Sequence, residues 1–305
     1  MIVIPDDEPA VMSVSAAYSR LSGHEVRLYT SRPSDPEDLL RRIQDADVVI
    51  NIRSTSRFTD SVLRRCPKLR LISIWGTGVD HVDLTAASAL GIRVASTPGV
   101  SATAVAEHTI ALMMALARGL PQIDREVREG RWPRGMGRQL FGKTLGLIGA
   151  GAIGREVARI GKGIGMKVIG WTFHPTGDIA EWVSLEDVFR RADVVSVHVR
   201  QSRETVGMIR REHFQLMQPH AIFINTARGP IVCERDLLDA LQSNRLAGAG
   251  LDVFEREPLP ADSPFFRMNN IVLTPHAAGL TPEATEAGLE MAIDNALTFL
   301  TAKPT

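Results

Sequence analysis

Three side chains in the second half of the chain could together bind an anion and move a proton. His276 follows an apolar run, 271 to 274, that has the composition of a buried strand. A neighbouring carboxylate raises the pKa of a histidine and orients its ring; Glu257 is the expected partner and Asp252 the less favoured one. Arg228 follows another apolar run and could bind a carboxylate through two parallel hydrogen bonds. We therefore predict Arg228 as anion anchor, Glu257 as orienting group and His276 as acid and base.

Taken one at a time, these residues have ordinary structural explanations. A histidine in a loop is usually structural, and Arg228 could equally form an ion pair at the surface. Their shared position directly after apolar runs favours function, because ligands of open parallel sheets bind beyond the carboxyl ends of the strands. The three residues together therefore predict a site.

A glycine fingerprint marks a second place where a ligand could bind. Gly149, Gly151 and Gly154 have the spacing G-x-G-x-x-G, directly after the apolar run 144 to 148 and before helical spacing over 155 to 160. At such a turn the first glycine allows the bend, the second admits a pyrophosphate, and the third lets helix and strand pack closely. The free N–H groups and the dipole of the helix start favour the anion. A glycine-rich turn without a ligand is the alternative, but the strand–turn–helix context favours a dinucleotide.

The two places together suit one type of reaction. The nicotinamide of NAD or NADP would carry a hydride. Arg228, Glu257 and His276 would bind a small 2-keto or 2-hydroxy acid and move its proton. This combination predicts hydride transfer between nicotinamide and a 2-hydroxy or 2-keto acid.

The choice between the two dinucleotides depends on the end of the next predicted strand, 167 to 171. Dinucleotide folds place an Asp or Glu there, ~20 residues past the glycines, to bind the ribose 2′-hydroxyl. This chain has Thr172 instead, which would not repel a 2′-phosphate. No Arg or Lys between residues 171 and 180 would attract one, and His174 is the only candidate there. The sequence leaves NAD and NADP both open.

A parallel sheet is needed to bring these residues together. Short apolar runs alternate with stretches of helical spacing along the whole chain, which predicts an α/β fold with parallel strands. The predicted strands are 2–4, 25–29, 48–52, 69–75, 91–95, 144–148, 167–171, 182–183, 194–199, 221–225, 247–252 and 271–274. The predicted helices are 11–21, 36–44, 60–65, 101–118, 125–130, 155–160, 185–190, 234–242 and 282–300.

Composition excludes several classes of partner. A chain of 305 residues predicts two domains, since a single core rarely grows beyond ~250–300 residues. Lys plus Arg and Asp plus Glu number 35 each, so no net charge attracts nucleic acid or an anionic membrane. Cys66 and Cys233 have no metal-ligand spacing and fit a reducing compartment. Because the sequence shows neither the pattern of a signal peptide nor an apolar segment long enough to span a bilayer, we expect a cytoplasmic protein. We also expect no metal site.

The sequence resembles the D-isomer-specific 2-hydroxyacid dehydrogenases, the group of phosphoglycerate dehydrogenase and glyoxylate/hydroxypyruvate reductases. The resemblance covers nearly the whole chain, and its motifs together are far more specific than the glycines alone. They are the Gly149 to Gly154 fingerprint, Asn225 to Gly229, Gly250 to Phe254 with Glu257-Pro258, and Thr274-Pro275-His276. The resemblance implies the same catalytic set that the residues suggest: Arg228, Glu257 and His276.

The resemblance also implies roles that the residues alone do not. Arg53 and the backbone of Gly76, Thr77 and Gly78 would help to hold the substrate carboxylate. The dinucleotide would be lined by Gly149, Gly151, Ala152, Ile153, Gly154, Thr172, Val199, Thr226, Ala227, Asp252 and Gly279.

A discontinuous domain layout follows from the same resemblance. Residues 1–97 and 280–305 would form the substrate-binding domain, and residues 98–279 the dinucleotide-binding Rossmann domain. Both are expected to be Rossmann-like or flavodoxin-like parallel-sheet domains, with a cleft between them. Homodimers are expected, with the helix from 101 to 118 in the dimer and hinge region. An appended regulatory domain, and with it serine feedback, is not expected.

Two other functions remain as alternatives. One is a dinucleotide-sensing binding protein, as in the corepressors with this fold, against which the intact Arg228, Glu257 and His276 set argues. The other is formate dehydrogenase, which normally replaces the glutamate beside the histidine, so that Glu257 counts against it.

Overall fold

A computed structural model describes residues 1–302 and gives an α/β fold with parallel strands throughout, as predicted. The strands are β1 (Ile2–Ile4), β2 (Val26–Leu28), β3 (Val48–Asn51), β4 (Leu71–Ile74), β5 (Arg93–Ser96), β6 (Thr144–Ile148), β7 (Lys167–Trp171), β8 (Glu181–Trp182), β9 (Val194–Val197), β10 (Ile222–Asn225), β11 (Gly248–Leu251) and β12 (Ile271–Leu273). The predicted bounds of β6 and β7, which flank the glycine fingerprint, are confirmed.

The helices separate the strands. They are α1 (Pro36–Ile43), α2 (Asp60–Leu63), α3 (Leu84–Ala89), α4 (Ala102–Arg118), α5 (Leu120–Arg128), α6 (Ala152–Gly163), α7 (Leu185–Arg191), α8 (Arg211–Leu216), α9 (Glu234–Gln242) and α10 (Pro282–Thr301). Short 3₁₀ helices lie at Ala16–Leu21, Gly229–Ile231 and Pro264–Arg267. Among the described residues, no helix is long and apolar enough to span a bilayer.

Several helix predictions differ from the structure: α8 was not predicted, and the helix expected over 125–130 begins earlier, at Leu120. The helix expected over 11–21 is reduced to the 3₁₀ turn at Ala16–Leu21. The buried carboxylate of Asp7 accepts hydrogen bonds from the backbone N–H groups of Val11, Met12 and Ser13 at 2.8, 2.8 and 3.0 Å, so these residues form a loop around it. Helix α3 was not predicted, because its sequence is short and rich in alanine and serine.

The chain divides into two compact units. The first unit contains Met1–Ser101 together with the chain from Leu280 onward, and the second contains Ala102–Gly279. In the first unit the five strands have the order β2-β1-β3-β4-β5. Helix α10 returns to this sheet, where Leu289, Ala292 and Ile293 are buried in the same core cluster as Ile2 and Ile4.

The second unit contains a seven-stranded sheet with the order β12-β11-β10-β9-β6-β7-β8. Six of its strands have the order of the doubly wound dinucleotide fold, and β12 extends the sheet at one edge. The last residues of β10, β11 and β12 are paired in register, Asn225 with Leu251 and Leu251 with Leu273. The loops that follow these three strands therefore leave the sheet side by side.

Candidate active site

The glycine fingerprint has the geometry that a dinucleotide needs. A Cβ at Gly149, whose φ is +100°, would lie 2.6 Å from backbone atoms of His198 and Val199. A Cβ at Gly154 would lie 2.2 Å from the carbonyl oxygen of Gly149. Side chains are thus excluded at both positions by neighbouring backbone.

Gly151 differs from the other two glycines because it faces open space. It is the N-cap of α6, has no side chain to occupy the helix start, and a Cβ there would meet no atom within 4 Å. The N–H groups of the first turn of α6 therefore point into room where an anion can approach. This arrangement fits the pyrophosphate of NAD or NADP, for which Gly151, Ala152 and Ile153 would supply the cradle.

His276 and Glu257 form a close pair. The Nδ1 atom of His276 lies 2.7 Å from Oε2 of Glu257, and the two side chains are 37% and 35% exposed. The other carboxylate oxygen of Glu257 accepts a hydrogen bond from the backbone N–H of Phe254 at 3.0 Å. Burial alone would raise the pKa of Glu257, but the contacts with His276 and Phe254 and the charge of Arg228 lower it below its ordinary value. Glu257 is therefore an ionised partner that fixes the ring with Nε2 directed away from it.

Asp252 holds the loop that carries His276, rather than its ring. Its buried carboxylate accepts from the Thr274 hydroxyl at 2.6 Å and from the backbone N–H groups of Ala277 and Ala278 at 2.8 and 3.0 Å. The backbone N–H of His276 donates to the carbonyl of Asp252 at 2.7 Å. His276 has a φ of +54°, a conformation that non-glycine residues adopt only when neighbours hold them there. Asp252 is thus a backbone clamp, and Glu257 is the carboxylate at the ring.

Arg228 is brought to the same place by close packing. A Cβ at Gly229 would lie 1.9 Å from the carbonyl carbon of Phe254, so only glycine allows the loops after β10 and β11 to touch. Arg228 is half-buried, and its guanidinium donates to the carbonyl of Ala227 at 2.9 Å. The three residues of the predicted catalytic set therefore all lie at the carboxyl edge of β10, β11 and β12.

The remaining residues predicted to line the dinucleotide also follow strands of this sheet or begin α6. Thr226 is buried after β10, with its hydroxyl 2.9 Å from that of Thr109 on α4. Val199 is buried beyond β9, whereas Thr172 and Gly279 are partly exposed. Ala152 is exposed and Ile153 and Ala227 are half-buried. These positions agree with a ligand that runs along the carboxyl edge of the sheet.

The predicted substrate residues lie in the first unit. Burial lowers the pKa of Arg53, with the charges of Asp6 and Asp7 opposing that effect. Its guanidinium donates to the carbonyl of Pro9, and its Nε is buried without a hydrogen-bond partner among the described residues. The N–H of Gly76 already donates a hydrogen bond to the hydroxyl of Thr97 at 2.7 Å. Thr77 and Gly78 therefore remain as the backbone donors of that loop.

Two histidines of the second unit were missed by reasoning from the sequence. His108 on α4 has its Nε2 3.0 Å from the Thr274 hydroxyl, next to the Asp252 clamp. His198 follows β9 and lies behind Gly154, with its Nε2 2.8 Å from the Ser196 hydroxyl. The position of His198 directly after a strand was a usable signal. His108, by contrast, lies inside a helix, and only packing places it near the site.

The chain matches known proteins along most of its length. Residues 110–278 match a family model described as D-isomer specific 2-hydroxyacid dehydrogenase, NAD binding domain. The chain is 37% identical over 278 residues to the glyoxylate reductase of Korarchaeum cryptofilum, covering 88% of this chain and 83% of that protein. It is 38% identical over 274 residues to the D-3-phosphoglycerate dehydrogenase of Archaeoglobus fulgidus, covering 88% of this chain but only 51% of that protein. The chain thus spans about half the length of that phosphoglycerate dehydrogenase.

Solved structures are similar over the whole fold. An acyclic imino acid reductase in complex with NADPH and D-Arg has a TM-score of 0.92 at 29% identity and covers 100% of this chain and 98% of its own. The D-lactate dehydrogenase from Aquifex aeolicus, complexed with NAD and lactic acid, has a TM-score of 0.88 at 29% identity, with 98% and 95% covered.

Proposed function

We propose the reaction that this chain catalyses. The chain belongs to the D-isomer specific 2-hydroxyacid dehydrogenase family. The protein is an NAD(P)-dependent oxidoreductase that acts on 2-hydroxy and 2-keto acids. Its substrate is a small acid, such as glyoxylate or hydroxypyruvate, and the product of reduction is the D-2-hydroxy acid. The observation that carries the proposal is the 2.7 Å contact between His276 and Glu257, with Arg228 close enough to lower the pKa of that glutamate.

Each residue of the set has a distinct task in reduction. When the dinucleotide is bound, its nicotinamide would supply the hydride. Arg228 binds the substrate carboxylate and polarises the carbonyl that is reduced. His276 donates a proton from Nε2 to the carbonyl oxygen, and Glu257 at Nδ1 stabilises the protonated ring before the transfer. In the oxidation direction His276 takes the proton back.

The first unit is proposed to bind substrate. The Nε of Arg53, which is buried without a hydrogen-bond partner among the described residues, and the loop from Gly76 to Gly78 support an anion-binding role. Because the N–H of Gly76 already binds Thr97, we assign the backbone contacts to Thr77 and Gly78. The second unit is correspondingly proposed to bind the dinucleotide.

We also propose that the chain forms a homodimer and works in a reducing compartment such as the cytoplasm. Large apolar side chains are exposed along the segment that follows α4: Leu120, Val127, Trp132, Met136 and Phe141. Exposed apolar side chains that form one patch are typical of association surfaces, and we propose that these five do so in the dimer. Both cysteines are free, which agrees with a reducing environment. Light scattering should give the mass of two chains, and a mass of one chain would exclude the dimer.

An initial-rate panel tests the reaction. Glyoxylate, hydroxypyruvate, pyruvate and larger 2-keto acids are tested against NADH and NADPH, with absorbance of the nicotinamide as the readout. A second arm adds ammonia or methylamine, because the similarity to an imino acid reductase makes reduction of an imine a competing outcome. Oxidation that depends on the keto acid alone is expected. A chain that binds the dinucleotide but oxidises it with none of these compounds would instead be a dinucleotide sensor.

A further inference from the structure

The first turn of α6 carries an arginine that reaches the loop after β7. Arg155 directly follows the last glycine of the fingerprint. Its Nη2 donates to the hydroxyl of Thr176 at 2.6 Å. A Cβ at Gly177 would lie 3.8 Å from its Nη1. The guanidinium is therefore held against the loop.

That loop is where the adenosine ribose of a dinucleotide lies in this fold. The pyrophosphate sits at the start of α6, and the 2′-hydroxyl is met by the residue that follows the next strand. Here that residue is Thr172, which is partly exposed directly after β7. From Thr172 to Gly177 the chain has no carboxylate that could bind a 2′-hydroxyl or repel a 2′-phosphate.

The fold supplies the positive charge that the loop itself lacks. No Arg or Lys lies between residues 171 and 180, but α6 brings two cations to this segment. Arg155 binds Thr176, and Lys162, two turns further along the helix, donates to the carbonyl of Asp178 at 3.3 Å. Asp178 is the first residue of the loop with a carboxylate, and the Lys162 ammonium lies at its backbone carbonyl.

We propose that this chain selects NADP(H) over NAD(H), with Arg155 binding the 2′-phosphate. A guanidinium has five N–H donors, so Arg155 can keep its bond to Thr176 and still bind two phosphate oxygens in parallel. Thr172 and Thr176, which lie on the same loop, would donate their hydroxyl hydrogens to the same group. This inference rests on the proposed function only in assuming that a nicotinamide dinucleotide is the cofactor.

Binding without any keto acid tests the proposal. Calorimetry of the full chain compares 2′,5′-ADP with 5′-AMP, and NADPH with NADH, so that each pair differs only by the 2′-phosphate. Wild-type protein should bind the member of each pair that carries the 2′-phosphate more tightly. Arg155→Gln should weaken binding of 2′,5′-ADP and NADPH by about 10- to 100-fold, as expected for lost hydrogen bonds to a charged group. The same variant should leave the affinities for 5′-AMP and NADH within about twofold of wild type.

Arg159→Gln is the matched control. Arg159 lies on the same helix, is exposed and pairs with Glu156 at 2.9 Å. The substitution therefore removes one positive charge from the helix without changing a contact to the loop. It should change none of the four affinities beyond about twofold. Thr172→Asp, which restores the usual carboxylate, should reverse the preference toward NADH.

Two results would overturn the proposal. One is equal affinity of the wild type for 2′,5′-ADP and 5′-AMP, and the other is an equal loss of affinity for both compounds in Arg155→Gln. Neither result would contradict the proposed reaction. That proposal is contradicted only if no 2-keto acid oxidises NADH or NADPH.

Discussion

His198 and His276 both follow strands of the same seven-stranded sheet, yet their surroundings prepare them for different tasks. His198 follows β9, and burial lowers its pKa to about 3. Its ring meets the hydroxyl of Ser196. His276 follows β12, remains 37% exposed and meets the carboxylate of Glu257. The same residue type at the same edge is thus held neutral in one place and paired with a negative charge in the other.

The comparison indicates that position at the carboxyl edge does not by itself suit a histidine to the proposed acid–base role. A histidine that stays neutral throughout the physiological range cannot donate the proton that reduction of a carbonyl consumes. A histidine beside an ionised glutamate can carry that proton, and its exposed face lets it reach a substrate. The predictions below test this contrast, starting with the largest expected effect.

Replacing the reactive histidine should abolish most of the turnover. His276→Ala is expected to lower kcat by about 10³-fold, because the proton must then come from water. Affinity for the dinucleotide, measured by calorimetry, should be unchanged within about twofold, since the ring is assigned to substrate and not to cofactor. Near-wild-type turnover by this variant would remove His276 from the mechanism.

A conservative change at the anion anchor should have the next largest effect. Arg228→Lys keeps the charge but loses the planar pair of donors, so kcat/KM for the 2-keto acid should fall by about 10²-fold. Arg235→Lys, an exposed residue on α9, is the control and should behave as wild type in the same steady-state assay. Equal activity of both variants would show that Arg228 does not bind the substrate.

Loss of the carboxylate at His276 should weaken proton donation by that histidine. In Glu257→Gln, kcat/KM at neutral pH should fall by about tenfold or more, because an uncharged amide does not stabilise the positive charge of the ring before it donates the proton. Steady-state rates at neutral pH measure the effect. Wild-type kcat/KM in this variant would mean that Glu257 serves only as a structural residue.

Stability provides an independent test of the same pair. The pKa of Glu257 is lowered in the folded chain, so its contribution is fully present above the unfolded value of about 4.3 and is lost as pH falls through the lower folded pKa. Chemical unfolding should therefore find Glu257→Gln less stable than wild type at pH 6, with the difference shrinking toward pH 3. A difference that persists unchanged at pH 3 would contradict the lowered pKa.

The smallest effect is expected at His198. His198→Gln keeps a hydrogen-bonding group near the position of Nε2, so the contact with Ser196 can be retained. We expect a loss of about 1 kcal/mol in the free energy of unfolding and a pH–rate profile that overlays the wild type. A shift of that profile would show that His198 also takes part in proton transfer.

Much of the candidate site could be predicted from local sequence. Glycine spacing between β6 and α6 predicted the dinucleotide cradle, since only glycine tolerates the backbone approach at Gly149 and Gly154. The apolar runs before Arg228 and His276 predicted strands whose ends share one edge, and the register of β10, β11 and β12 bears this out. The prediction over 11–21 was wrong because helical spacing does not reveal that the Asp7 carboxylate takes up the backbone N–H groups.

Local patterns were sufficient for the α/β class, for the fingerprint and for the identity of the three residues assigned to catalysis. These depend on periodicity, on steric demands of single positions and on strand order, all of which act over short stretches of chain. Three features could be known only from the folded chain: that Glu257 faces the ring of His276 while Asp252 holds its loop, that the surroundings of His198 lower its pKa, and that Arg155 reaches the loop after β7. Each depends on burial or on contact between segments distant in sequence, and neither quantity exists before the chain has folded.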